Sequence, residues 1–111
     1  MLHRNAEKRM IFDQNGCTGF QLGSRHGRDF LELRLSPGGG IPAHVQDFHI
    51  DFIVAAGTGL VVVDDEEHRV GPGDVVHADP RQRRGLRNDG EAEMLVYAIR
   101  QHRSRSVTSG G

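Results

Sequence analysis

At 111 residues the chain holds material for one compact domain and hardly for two. A formal net charge of −1 gives no global pull toward nucleic acid or an anionic membrane, so neither is an expected partner. A single cysteine, Cys17, excludes an internal disulfide framework, and 15 glycines favour many tight turns over long helices.

The chain begins "MLHRNAEKRMIF", polar and without the apolar core of a secretory signal. No later stretch approaches the roughly 18 apolar residues of a membrane span. Together with the lone cysteine this sets a cytoplasmic location as the expectation. "RMIF" is a short apolar run closed by the turn chemistry of "DQNG". "CTGFQLGS" reads as a strand with "RHGRD" as its turn. "DFLELRLS" alternates with period two, Leu31, Leu33 and Leu35 against Phe30, Glu32 and Arg34, which is a half-buried strand. "PGGG" breaks it. "IPAHVQ" can be extended, "IDFIVAA" is a strong β-run, "GTG" a turn and "LVVV" another strand. "DDEE" reads as a charged hairpin tip, "HRV" as the returning strand and "GPGD" as a turn. "VVHA", "RRGLRN" and "EMLVYAI" follow as strands, separated by "DPRQ" and "DGEA". Turn signals about every 8–12 residues with no helical stripe define an all-β sandwich or barrel. One domain over residues 1–99 is expected, with 100–111 as a disordered basic and polar tail.

Two stretches carry a more specific signal. "PGGGIPAHVQDFHIDFIVAAGTG" and "VGPGDVVHADPRQRRGLRNDGEAEMLVYAI" resemble the two motifs of the cupin superfamily, and the likeness spans roughly residues 28–99. The resemblance implies a double-stranded β-helix, or jelly-roll β-barrel, that pairs into a homodimer, with outward apolar positions such as Ile53 meeting the partner. The family's first motif carries His-x-His and a later Glu before a Gly. The second carries Pro-x-Gly, then a His and an Asn. Aligned on Gly57 and on Pro72-Gly73, the three histidines and the glutamate become His44, Gln46, Ile50 and Arg84, and the asparagine is Asn88. Strand parity supports this register: His44, Gln46, Ile50, Phe52 and Val54 share one face, and His49 and Asp51 the other. Gln82, Arg84 and Leu86 likewise share a face, opposite Arg83 and Arg87.

These substitutions weaken the family's metal chemistry. One imidazole survives in register, Gln46 is a poor ligand, Ile50 cannot ligate, and the fixed charge of Arg84 repels a cation. No metal cofactor is therefore expected. The alternative is a divalent iron, manganese, zinc or nickel ion held by His44 with His49 or His77 swung inward by a bulge. Arg84 admits three readings: an anion-binding fork, an internal pair with an acidic residue, or a side chain bent out to water beside Arg81, Arg83 and Arg87. The leading expectation is a pocket for a small carboxylate or phosphate, lined by His44, Gln46, Ile50, Phe52 and Arg84. A metal-dependent dioxygenase or isomerase and a non-catalytic dimeric scaffold or sensor are the alternatives. His44 alone, with no visible partner, does not define a catalytic residue.

Overall fold

The computed structural model describes residues 1–102. A short 3-10 turn, Asn5–Glu7, precedes ten strands: β1 (Arg9–Gln14), β2 (Cys17–Arg25), β3 (Arg28–Leu35), β4 (Gly40–Val45), β5 (Phe48–Ala56), β6 (Gly59–Val63), β7 (Glu66–Val70), β8 (Val75–Ala78), β9 (Arg83–Arg87) and β10 (Met94–His102). A six-stranded sheet has the order β1-β2-β3-β10-β5-β8, and a four-stranded sheet the order β4-β9-β6-β7. After β3 the chain repeatedly crosses between the sheets, so the two halves of the barrel are woven together. This is the expected jelly roll. No helix of the described residues is long and apolar enough to cross a membrane.

The turns follow from residue chemistry. Asn15 and Gly16 join β1 to β2 with φ of 54° and 70°, and His26 and Gly27 join β2 to β3 with φ of 53° and 77°. Two consecutive left-handed residues match the right-handed twist of the flanking strands. The core forms where period-two faces meet. Leu31, Leu33 and Leu35 of β3, Ile50, Phe52 and Val54 of β5, and Met94, Val96 and Ala98 of β10 share one cluster with Val61, Val63 and Leu86 of the other sheet. Burying a large apolar side chain contributes about 1.5–3 kcal/mol.

Two boundaries differ from expectation. The "DDEE" tip is half strand: Val63 pairs with Glu66, so only Asp64 and Asp65 make the turn. The last strand runs on to His102, pairing Gln101 with Arg28 and His102 with Phe48. Residues 100–102 therefore belong to the barrel, because Asp29 anchors them: Arg100 donates Nε and Nη2 to its Oδ2 at 2.9 and 2.8 Å, and His102 Nε2 lies 3.0 Å away. The remainder of the expected tail, 103–111, lies outside the described residues.

This anchor has a pH signature. Burial pushes the Asp29 carboxyl up, but hydrogen bonds from Ser24, Arg100 and His102 outweigh it and hold the group down to about 2. A depressed folded-state value stabilises the fold above the ordinary carboxylate range, and that contribution is lost as pH falls through about 4 toward 2. Its size is about 2 kcal/mol. Urea unfolding of the wild type and of Asp29→Asn should differ by that amount at pH 6 and converge near pH 2. An undiminished gap at pH 2 would refute the assignment.

Candidate functional site

A cavity of about 340 Å³ opens between the two sheets. Leu31 and Leu33 of β3 with Ile50 and Phe52 of β5 supply its apolar wall, and His44, Gln46 and Arg84 its polar groups. All five residues expected from the sequence thus border one space. Ile50, Phe52 and Arg84 are buried, and His44 and Gln46 are exposed at the opening. The register of β4 slips against β9 between Ile41 and His44, so both face the cavity although their parity differs. Glycine opposite the slip makes room for it, since a Cβ on Gly85 would lie 2.8 Å from Ala43 N and from Ile41 O.

Arg84 takes none of its simpler alternatives. It is only 2 % exposed, so it does not bend out to water. Nor does it form an ion pair with an acidic side chain of the described residues. Nε donates to Gln82 O (2.7 Å), and Nη2 donates to Asp79 O (2.6 Å) and Phe48 O (3.1 Å). Nη1 is buried and has no partner among the described residues. The guanidinium carbon lies 5.1 Å from the centre of the Phe48 ring. Burial lowers the pKa of Arg84, with the more distant Asp64 charge opposing, yet a guanidinium stays charged at any ordinary pH. The cavity therefore holds a desolvated cation satisfied only by carbonyl dipoles and an aromatic face.

The inner positions do not fit the metal that cupin motifs imply. The donor set is one imidazole, one amide, one alkyl group and one guanidinium. His44 Nδ1 sits 2.9 Å from Pro42 O and donates its proton there, which leaves a single ring nitrogen for any other use. A fixed positive charge occupies the position of the fourth ligand.

Among the cavity residues that sequence reasoning did not name are Phe12, Phe48 and Arg100. The expected tail includes Arg100, although Met94, Val96, Ala98 and Arg100 continue one inward parity. Its guanidinium carbon lies 5.4 Å from the Phe48 ring centre, so two arginines flank one aromatic ring.

The expectation of a metal held by His44 with His49 or His77 is corrected. The register of β5 is unbroken against β10 from Phe48 to Ile53 and against β8 from Ile50 to Ile53, so no bulge turns His49 inward. His49 and His77 stand on the outer face of the six-stranded sheet, separated by that sheet from the cavity. There they meet each other and Asp79, with ligand atoms all within 4.8 Å of one another. These three residues could hold a metal. His77 Nδ1 lies 2.7 Å from Asp51 Oδ1, and its Nε2 lies 2.9 Å from Asp79 Oδ1. The Asp51 carboxylate raises the pKa of His77, burial is the next largest influence and opposes it, and Asp79 adds to the rise.

Fold and cavity together define a small single-domain jelly-roll barrel with room for a small ligand between its sheets. The family model described as "Cupin domain" matches residues 31–100, and the chain belongs to the cupin family. Solved structures agree on the fold. KdgF from a Halomonas species superposes with a TM-score of 0.82 at 18 % identity, covering 94 % of each chain. A predicted oxalate decarboxylase from Thermotoga maritima gives 0.80 at 18 % identity, covering 92 % of this chain and 99 % of the other. An RmlC-like cupin from Shewanella frigidimarina gives 0.79 at 15 % identity, covering 88 % and 86 %. No curated protein matches the chain.

Proposed function

We propose that this cupin binds a small organic anion, a carboxylate or phosphate, in the cavity between its sheets, without the inner metal site of its family. The observation that carries this reading is Arg84, a buried cation with no carboxylate partner and one unpartnered guanidinium nitrogen at a cavity of about 340 Å³. Desolvating a charge costs several kcal/mol unless an opposite charge or good hydrogen bonds offset it. An incoming anion supplies that opposite charge, and the N–H groups of Nη1, the nitrogen of Arg84 left without a partner, are the donors that remain for it. The Gln46 amide N–H group can donate to the anion at the opening, and His44 Nε2, left as an acceptor, suits a hydroxyl of the ligand, while Ile50 and Phe52 contact its apolar part. A barrel filled with side chains would instead suit a scaffold role, so the open cavity favours ligand binding.

The test is a thermal-shift and calorimetric screen of small mono- and dicarboxylates and phosphate esters, with neutral amides as controls. At least one anion should raise the melting temperature saturably, and its amide should not. Gln46→Ala should weaken that anion by roughly tenfold, the scale of one lost hydrogen bond to a charged group. Arg84→Lys keeps the charge but loses the planar group that three carbonyls hold in place with Nη1 free, and should weaken it further. If no anion stabilises the wild type, or both variants bind it unchanged, the reading is wrong.

A further inference from the structure

We propose that His49, His77 and Asp79 form a divalent transition-metal site on the outer face of the six-stranded sheet, outside the barrel. The argument starts from His77. Both of its ring nitrogens face carboxylate oxygens, Asp51 Oδ1 at 2.7 Å and Asp79 Oδ1 at 2.9 Å. A neutral imidazole has one N–H and one lone pair. With Nδ1–H donated to Asp51, Nε2 reaches Asp79 Oδ1 through either a second proton or a metal cation bound by both. A divalent cation can take the place of that proton, with His49 as a further ligand. Asp51 then plays the part that carboxylates play behind metal-bound histidines, fixing the tautomer and the ring orientation.

The spacing is close to what such an ion needs. Zinc held at about 2.0–2.1 Å in a tetrahedral site puts its ligand atoms about 3.3 Å apart. Asp79 Oδ1 lies 2.9 Å from His77 Nε2 and 3.5 Å from His49 Nδ1. The two imidazoles stack with ring centres 5.6 Å apart and 30° between planes. Sheet backbone positions all three. Asp51 pairs directly with His77 across β5 and β8, and His49 is their diagonal neighbour. Asp79 follows β8, with its N–H donated to Gln82 Oε1 at 2.8 Å and its carbonyl bound by Arg84. Two imidazoles and a carboxylate suit zinc, cobalt, nickel or copper better than magnesium or calcium. His49 and His77 also border a surface depression of about 320 Å³, together with Arg28, which leaves space for water or an anionic ligand at an open coordination position.

The experiment is titration of the untagged full chain, purified without chelator, with Zn2+ and with Co2+, read by calorimetry and by the visible spectrum of the cobalt form. One ion per chain is expected. His49→Ala and His77→Ala should each weaken binding more than tenfold, and Asp51→Asn by roughly 10- to 100-fold, the usual effect of removing the carboxylate behind a ligating histidine. All three positions are on the surface of a sheet, and urea unfolding confirms that each variant is folded. Absence of saturable one-to-one binding overturns the proposal. So does binding that survives His49→Ala and His77→Ala, or binding that His44→Ala alone removes, which would place the ion inside the barrel.

Discussion

Asn88→Ala should destabilise the barrel by about 3 kcal/mol in urea unfolding, because each buried polar group left without a partner costs about 1–3 kcal/mol. Asn88 is fully buried. Its Nδ2 donates to Leu35 O at 2.9 Å and to Ala92 O at 2.8 Å, and its Oδ1 accepts from Gly90 N–H at 3.0 Å. Its backbone exchanges two further bonds with the turn after β3: Asn88 N–H donates to Gly39 O, and Gly38 N–H donates to Asn88 O. One side chain therefore ties the end of β3 to the loop before β10. Alanine keeps the backbone bonds but strands the Leu35 carbonyl in the core. Asn88→Asp should cost at least as much, since it loses both donors and aims a negative charge at two carbonyl oxygens. A loss below about 1 kcal/mol in Asn88→Ala would mean that water takes over the side chain's role.

Glu32→Ala should cost a similar amount, about 3 kcal/mol, because one buried carboxylate loses three hydrogen bonds, two of them charge-assisted at about 1.5–3 kcal/mol each, while the partly exposed Lys8 and Arg34 recover some of this from water and Glu93. Strand parity puts Glu32 on the face of β3 away from the core, yet it is fully buried. The N-terminal segment crosses that face and closes over it. Lys8 Nζ donates to Oε2 at 2.7 Å, Asn5 Nδ2 to Oε1 at 2.5 Å, and Arg34 Nε to Oε2 at 2.9 Å. Lys8 also lies 4.5 Å from the centre of the Phe20 ring. Burial pushes the Glu32 carboxyl up, but these three bonds outweigh it and lower it below its ordinary value. The loss on mutation should thus be full at neutral pH and shrink as acid protonates the wild-type group. A double-mutant cycle with Lys8→Ala isolates the pair, and a coupling near zero would assign the stability to packing of the segment instead.

The strands and turns were legible because their signals are local. "DFLELRLS" shows its inward leucines by alternation, Asn15-Gly16 and His26-Gly27 show their turns by side-chain chemistry, and the two motifs show the order in which strands cross between sheets. The same parity placed Ile50, Phe52 and Arg84 inward. Parity also contained Arg100, one step beyond Ala98, and was stopped too early by the basic composition of the tail. The slip in β4 was not legible, since a bulge is set by how Gly85 of the neighbouring strand receives it.

The amino-acid sequence by itself determined that this chain folds as a cupin and which residues stand at the positions of its two motifs, since alternation, turn residues and motif positions are properties of neighbours in the chain. Only the tertiary structure decided what those residues do. Arg84 meets the carbonyl of Phe48, Glu32 meets Lys8, and His77 meets Asp51, contacts between residues 36, 24 and 26 positions apart. Whether a buried charge finds an acid, a carbonyl dipole or nothing depends on which strands lie side by side. That is settled by the closing of the two sheets, and no local pattern encodes it.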